Sequence, residues 1–136
     1  MKFSADLAAA HTRDILAALA PFEPEVTLVG TMFINGEGND YDYVVYEPED
    51  RPAGPMIEDL MGHGFTRTSP ESYNDSQFLT MRKGDVNLML TRDPEFHKGF
   101  VAAARVCKYM QDGGFVELNR EQRVKIHRII MNGEEP

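Results

Sequence analysis

Residues 28–46 read LVGTMFINGEGNDYDYVVY, and the alternation of apolar runs with turn residues in this stretch decides the fold. Val26 to Val29 is an apolar, β-branched run, which predicts a first strand placed centrally in a sheet. Gly30 lets the backbone turn sharply, and Met32, Phe33 and Ile34 predict a short helical turn with an apolar face. Asn35 to Asn39 reads as a loop able to take positive φ. Tyr41 to Tyr46 is then a second strand, opened by Asp40 and Asp42. Side chains two apart on a strand share a face, so the two carboxylates project together. They repel each other there, and burying them without partners is costly. A divalent cation resolves both problems, and hard oxygen donors of this kind suit Mg2+ or Mn2+. The alternative is a pair of solvated charges at a strand end. At Gly30 the missing side chain would also let a phosphate approach the main chain, with Thr31 offering its hydroxyl and N–H. Equally, Gly30-Thr31 reads as an ordinary strand-to-helix turn capped by Thr31.

A strand, Gly-Thr, a short turn with a later Gly at Gly36, and Asp-x-Asp at Asp40 and Asp42 together resemble the nucleotidyltransferase superfamily related to DNA polymerase beta. The C-terminal half, from Val86 through VNLMLTRDPEFHKGFVAAARVCKYM to REQRVKIHRIIMNGEE, is similar to short nucleotidyltransferase-like proteins met in bacteriophage genomes. The resemblance implies an α+β fold, a minimal nucleotidyltransferase-like domain with a small mixed β-sheet packed with helices. It implies metal-binding at Asp40 and Asp42, and phosphate or nucleotide contacts from Gly30, Thr31 and Asn39. It also implies a third carboxylate on a later strand, and there the chain departs from the pattern. The matching position is Asn87, a neutral residue that cannot act as a general base; Asp85 takes that place only if the strand slides in register.

Composition sets further bounds. The 136 residues suit one domain, 1–136, with a single core. An apolar share of 42% and a charged share of 26% are those of ordinary globular proteins. The net charge of −8 argues against long nucleic acid as a partner, because sequence-independent binding needs a basic surface. No apolar run is long enough for a membrane span, and no leader-like segment opens the chain, which points to the cytoplasm, that of the host if phage-encoded. The single cysteine, Cys107, excludes an internal disulfide and reads as a buried thiol.

The other elements follow from spacing and punctuation. Ser4 to Leu19 predicts a helix capped by Ser4, with Leu7, Ile15, Leu16 and Leu19 inward and His11 and Asp14 solvated. Residues 47–55 form an acidic, proline-rich loop, Met56 to Gly62 a short helix, and Phe65 to Thr68 an edge strand; His63 sits at a helix end. A polar loop over 69–75 is followed by strands Gln77 to Arg82 and Val86 to Thr91, joined through Lys83-Gly84-Asp85. Alternation puts Asp85, Asn87 and Met89 on one face of the latter strand. Arg82, Lys83 and Arg92 cluster at the strand ends, within reach of phosphate oxygens or of solvent. Asp93 with Pro94 starts a helix whose stripe is Phe96, Phe100, Ala103, Val106, Cys107 and Met110, leaving His97 and Lys98 outside. Asn119 and Gln122 form a capping box for a last helix with an apolar side of Val124, Ile126, Ile129 and Ile130. Its charges Arg120, Arg123, Lys125 and Arg128 read as a solvated face. Tyr43 and Tyr46 are candidates to stack on a base or simply to pack.

Taken with the resemblance, the expected function is binding of a nucleoside triphosphate through Mg2+ (or Mn2+) at Asp40 and Asp42. Transfer of a nucleotidyl group to an acceptor that the sequence does not identify, a small molecule or a host protein, would follow, with Asp85 as a candidate base and Arg82, Lys83 and Asn87 as nucleotide contacts. The alternative from another class is an inactive protein of the same fold that binds a host protein or a nucleotide.

Overall fold

The computed structural model describes residues 1–47, 53–68, 78–113 and 119–133. Among the described residues the elements follow in this order: α1 (Ala5–Ala18), β1 (Glu25–Val29), α2 (Gly30–Asn35), β2 (Tyr41–Tyr46), α3 (Ala53–Gly62), β3 (Thr66–Arg67), β4 (Leu79–Lys83), β5 (Val86–Thr91), α4 (Pro94–Asp112) and α5 (Arg120–Asn132). The sheet order is β1-β2-β5-β4-β3. β2 and β5 pair in parallel, and the other neighbours pair antiparallel, so the sheet is mixed and the class is α+β. β1 is an edge strand, not the central one its β-branched composition suggested. Composition reports burial on the faces of a strand and says little about who pairs with its edges.

Strict alternation sorts the side chains. Tyr41, Tyr43 and Val45 of β2, with Met81 of β4 and Leu88 of β5, point to one face and pack with Ile15 of α1, Leu19 at its C-cap, and Met56 and Leu60 of α3. Val44 and Val29 point to the other face, against Phe100 and Ala104 of α4 and Phe33 of α2. Both faces are therefore covered, where the sequence suggested helices mainly on one. Tyr43 is buried with its hydroxyl donating to the Ala8 carbonyl at 2.8 Å, so it is a packing residue. Leu7 and Leu16 face outward at 40% and 41% exposure; the buried side of α1 is Ala8, Ile15 and Ala18, continued by the C-cap Leu19.

Local chemistry sets the ends of the elements. Ser4 accepts from the Leu7 N–H at the start of α1, and Asp93 from Glu95 and Phe96 at the start of α4. The Asn119–Gln122 capping box is complete. Cys107 is fully buried between α4 and α2, and burial pushes its thiol pKa up, as befits a packing residue. The N-terminal strand-like segment ties down the loop after α2: the Phe3 N–H donates to the Gly36 carbonyl at 2.8 Å and the Gly38 N–H to the Met1 carbonyl at 2.9 Å. That loop delivers the chain to Asp40. Of the expected loops, residues 48–52 and 69–75 lie outside the described residues, whereas 53–55 belong to α3, which starts three residues before the expected Met56.

Candidate functional site

The site is assembled by strand register. In the parallel β2–β5 pair, Asp42 stands opposite Asn87; in the antiparallel β4–β5 pair, Asn87 stands opposite Arg82. Three adjacent strands thus line up carboxylate, amide and guanidinium in one row on the α4 side of the sheet. The amide Nδ2 of Asn87 donates to Asp42 Oδ1 at 3.0 Å. Arg82 donates through Nη1 to Asn87 Oδ1 at 2.9 Å and through Nη2 to Asp40 Oδ1 at 2.6 Å. Asp40 and Asp42 are therefore brought together, as expected, and are bridged by protein groups.

Gly30 closes the row from β1. Its φ is +81°, and a Cβ there would overlap Oδ2 of Asp42 and stand 2.9 Å from the Asp42 Cβ. No other residue type fits between the end of β1 and this carboxylate. Burial pushes the Asp42 carboxyl above the ordinary carboxylate range. The Asn87 hydrogen bond and the Arg82 guanidinium act against burial, and neighbouring Asp40 acts with it. The Arg82–Asp40 pair is half open to solvent, with side-chain exposures of 41% and 29%, so it contributes little on its own.

As a divalent-ion site the donor set falls short. Two carboxylates converge, but the third in-register position is an amide, and a guanidinium already sits on Asp40. Among the described residues no group of three or more His, Cys, Asp and Glu side chains is gathered to hold a metal. The residues as arranged do not fit the catalytic metal expected from the sequence.

The remaining expected residues divide. Thr31 lies beside Gly30 at the start of α2, and its Oγ1 accepts from Arg123 Nη2 of α5 at 3.2 Å. Asn39 is exposed in the loop before Asp40. Lys83 is not gathered into the row: it alternates to the opposite face, where its Nζ donates to the His63 carbonyl at 2.7 Å and sits 5.8 Å from the Phe65 ring centroid. Asp85 lies in the hairpin turn, exposed, its carbonyl accepting from the Tyr41 N–H at 2.7 Å. Asp85 and Lys83 instead line a cavity of about 590 Å³ on the α1 side with His11, Asp14 and His63. β5 does not slide, since its register with β2 puts Asn87, not Asp85, beside Asp42.

Several residues read as surface are not. His11 packs edge-on against Tyr41 at 5.2 Å. His97 stacks on Tyr46 at 4.5 Å between ring centroids, its Nε2 lies 3.5 Å from Glu25, and burial lowers its pKa. Arg123, on the charged face of α5, reaches Thr31. With Arg128, His127, Phe100, Val124 and Met131 it encloses a cavity of about 390 Å³ against Gly30 and Thr31. The basic character of α5 was legible in the sequence; its position beside Gly30 was not.

No protein-family profile matches this sequence, and no curated protein matches it either. Solved structures do match in fold. Conserved protein GrpB from Enterococcus faecalis aligns over 98% of this chain and 97% of its own, with a TM-score of 0.69 and 9% identity. Cid1 poly(U) polymerase, solved with MgGTP bound, aligns over 82% of this chain and 39% of its own, with a TM-score of 0.57 and 10% identity. Terminal uridylyl transferase 4 from Trypanosoma brucei, solved with UTP and UpU, aligns over 81% and 40%, with a TM-score of 0.51 and 16% identity. The chain thus spans well under half of the polymerase and of the transferase. At these identities the likeness concerns the fold, which is nucleotidyltransferase-like. No described helix is long and apolar enough to cross a membrane.

Proposed function

We propose that the chain is a nucleoside-triphosphate-binding protein that keeps the nucleotidyltransferase fold and has given up nucleotidyl transfer. The observation that carries this is the register of Asn87 against Asp42, with Arg82 bonded to both Asn87 and Asp40. Transfer needs a base for the attacking hydroxyl and concentrated positive charge on the leaving phosphates. A neutral amide supplies no base, and a guanidinium already neutralised by Asp40 supplies little net charge. Binding is supported by fold neighbours solved with MgGTP, UTP and UpU, and by the Gly30 cradle with its adjoining cavity. The bacteriophage resemblance fits a small binding protein whose target in the cell is a nucleotide or a host protein.

A second reading, Mg2+-dependent nucleotidyl transfer to a small acceptor, is favoured by one observation: Asp40 and Asp42 both survive on the same side of the sheet. The two are separated by titrating ATP and UTP with and without Mg2+ while following pyrophosphate. Saturable binding without pyrophosphate release supports the proposal. Mg2+-dependent pyrophosphate release that Asp40→Asn/Asp42→Asn removes supports transfer.

A further inference from the structure

The aspartate row holds a cation of its own. Arg82 stands on β4 with its side chain 41% exposed, and its guanidinium gathers oxygens from two other parts of the chain. Asp40 Oδ1, from the loop before β2, accepts from Nη2 at 2.6 Å, and Asn87 Oδ1, from β5, accepts from Nη1 at 2.9 Å. These contacts also fix the orientation of the Asn87 amide. Its Nδ2 donates to Asp42 Oδ1 at 3.0 Å, which leaves its oxygen for Arg82. The flipped amide would set oxygen against carboxylate and N–H against guanidinium. Asp42, Asn87, Arg82 and Asp40 thus form one unbroken run of hydrogen bonds over three strands, with the single positive charge between the two aspartates.

We propose that the Arg82 guanidinium replaces the divalent ion expected at this row, and competes with such an ion for the same two oxygens, Asp40 Oδ1 and Asn87 Oδ1. Both are hard oxygen donors of the kind Mg2+ and Mn2+ take, one from a carboxylate and one from an amide. These ions are commonly held by one or two carboxylates with water completing the shell, so Asp40 and Asp42 suffice once the guanidinium is removed. With Arg82 in place, a divalent ion has to break two charge-assisted hydrogen bonds and stand beside a positive charge. Two carboxylates do not tip that balance; a third at position 87, or the loss of Arg82, does. An ordinary surface ion pair behaves differently: removing its cation costs little and creates no affinity for an ion. Exclusion of the ion by Arg82 does not depend on nucleotide binding.

The test follows free Mn2+ by electron paramagnetic resonance while the full chain is titrated without nucleotide. The natural chain is compared with Arg82→Ala, with Arg82→Ala/Asp40→Asn, and with Arg13→Ala, which removes an exposed charge from α1. Arg82→Ala is expected to bind Mn2+ about tenfold or more tightly than the natural chain, the difference that one charge-assisted hydrogen bond makes. Arg13→Ala should change the affinity by about twofold or less, and Asp40→Asn should abolish the gain. Guanidinium chloride at about 20 mM, far below the molar range of denaturation, should compete with Mn2+ in Arg82→Ala better than sodium chloride at equal ionic strength. Mn2+ affinity that Arg82→Ala leaves unchanged overturns the replacement. So does a gain that Arg13→Ala matches, that Asp40→Asn leaves intact, or that guanidinium opposes no better than sodium. If Arg82→Ala loses its helical circular dichroism in EDTA, recovery on adding Mn2+ or guanidinium supports the replacement, and failure of both to restore it overturns it. No nucleotide enters the titration, so a negative result leaves the nucleotide-binding function untouched.

Discussion

Asn87 and Asp42 face each other across the parallel β2–β5 pair, and the amide of Asn87 donates to the Asp42 carboxylate at 3.0 Å. A carboxylate at that position would turn this hydrogen bond into a repulsion. Asn87→Asp should therefore lower the thermal midpoint by a few degrees in EDTA, since like charges directly opposite cost about 1 kcal/mol. It should also create an ion site that the natural chain lacks. Millimolar Mn2+ is expected to raise the midpoint of the variant by several degrees through binding to the folded state, and that of the natural chain hardly at all. Equal stabilisation of both by Mn2+ would show that the natural donor set already holds a metal.

Gly30 is the tightest point of the site. Gly30→Ala puts a methyl onto the Asp42 carboxylate at a φ of +81°, which L-residues rarely adopt. Loss of about 2 kcal/mol or more is expected, read as a shift of the urea midpoint. Gly36→Ala shares the positive φ but meets no atom within 4 Å, so it should lose only the conformational part, about 1 kcal/mol. Equal losses at the two positions would mean that Gly30 is not packed on Asp42.

The raised pKa of Asp42 fixes the sign of a pH effect. A carboxyl whose folded pKa lies above its unfolded value binds its proton more tightly when folded. It therefore detracts from stability at neutral pH, and the deficit fades as pH falls through the folded pKa towards the model-compound value of 3.8. Asp42→Asn, which keeps an acceptor for Asn87, should be more stable than the natural chain at pH 7. The gap should narrow in acid. Thermal midpoints of the two proteins from about pH 4 to pH 7 measure it, and a variant less stable at neutral pH would contradict the burial account.

His97 gives the opposite sign. Burial lowers its pKa from 6.5, so the folded state resists protonation and stability falls as pH drops through 6.5 towards the folded value. His97→Phe keeps a ring against Tyr46 and removes the titration. Its stability should change less between about pH 7.5 and pH 5.5 than that of the natural chain. Matching pH profiles would place the imidazole in solvent.

Much of this was legible in the residues themselves. Asp93-Pro94, the Asn119–Gln122 pair and the Tyr41–Tyr46 run are local signals, and caps and alternation are local physics. The face shared by Asp40 and Asp42 was also local. What the sequence could not show was pairing between strands distant in the chain. Arg82 read as a phosphate ligand because nothing in its neighbourhood revealed that Asn87 and Asp40 would claim its guanidinium. Lys83, one residue on, alternates to the far side of the sheet. The cations of α5 read as a solvated face because helical periodicity ranks the faces of one helix without saying what stands opposite. For the same reason the apolar spacing of α5 points Val124 and Ile130 inward, although they are 42% and 37% exposed.

The central claim is that this fold binds a nucleoside triphosphate and leaves it whole. The most direct measurement incubates the chain with radiolabelled ATP or UTP and Mg2+, then follows bound nucleotide and free pyrophosphate in the same sample. The account predicts retained, intact triphosphate and pyrophosphate no higher than in a protein-free control. Pyrophosphate accumulating in proportion to the chain, or no triphosphate retained at all, would contradict it.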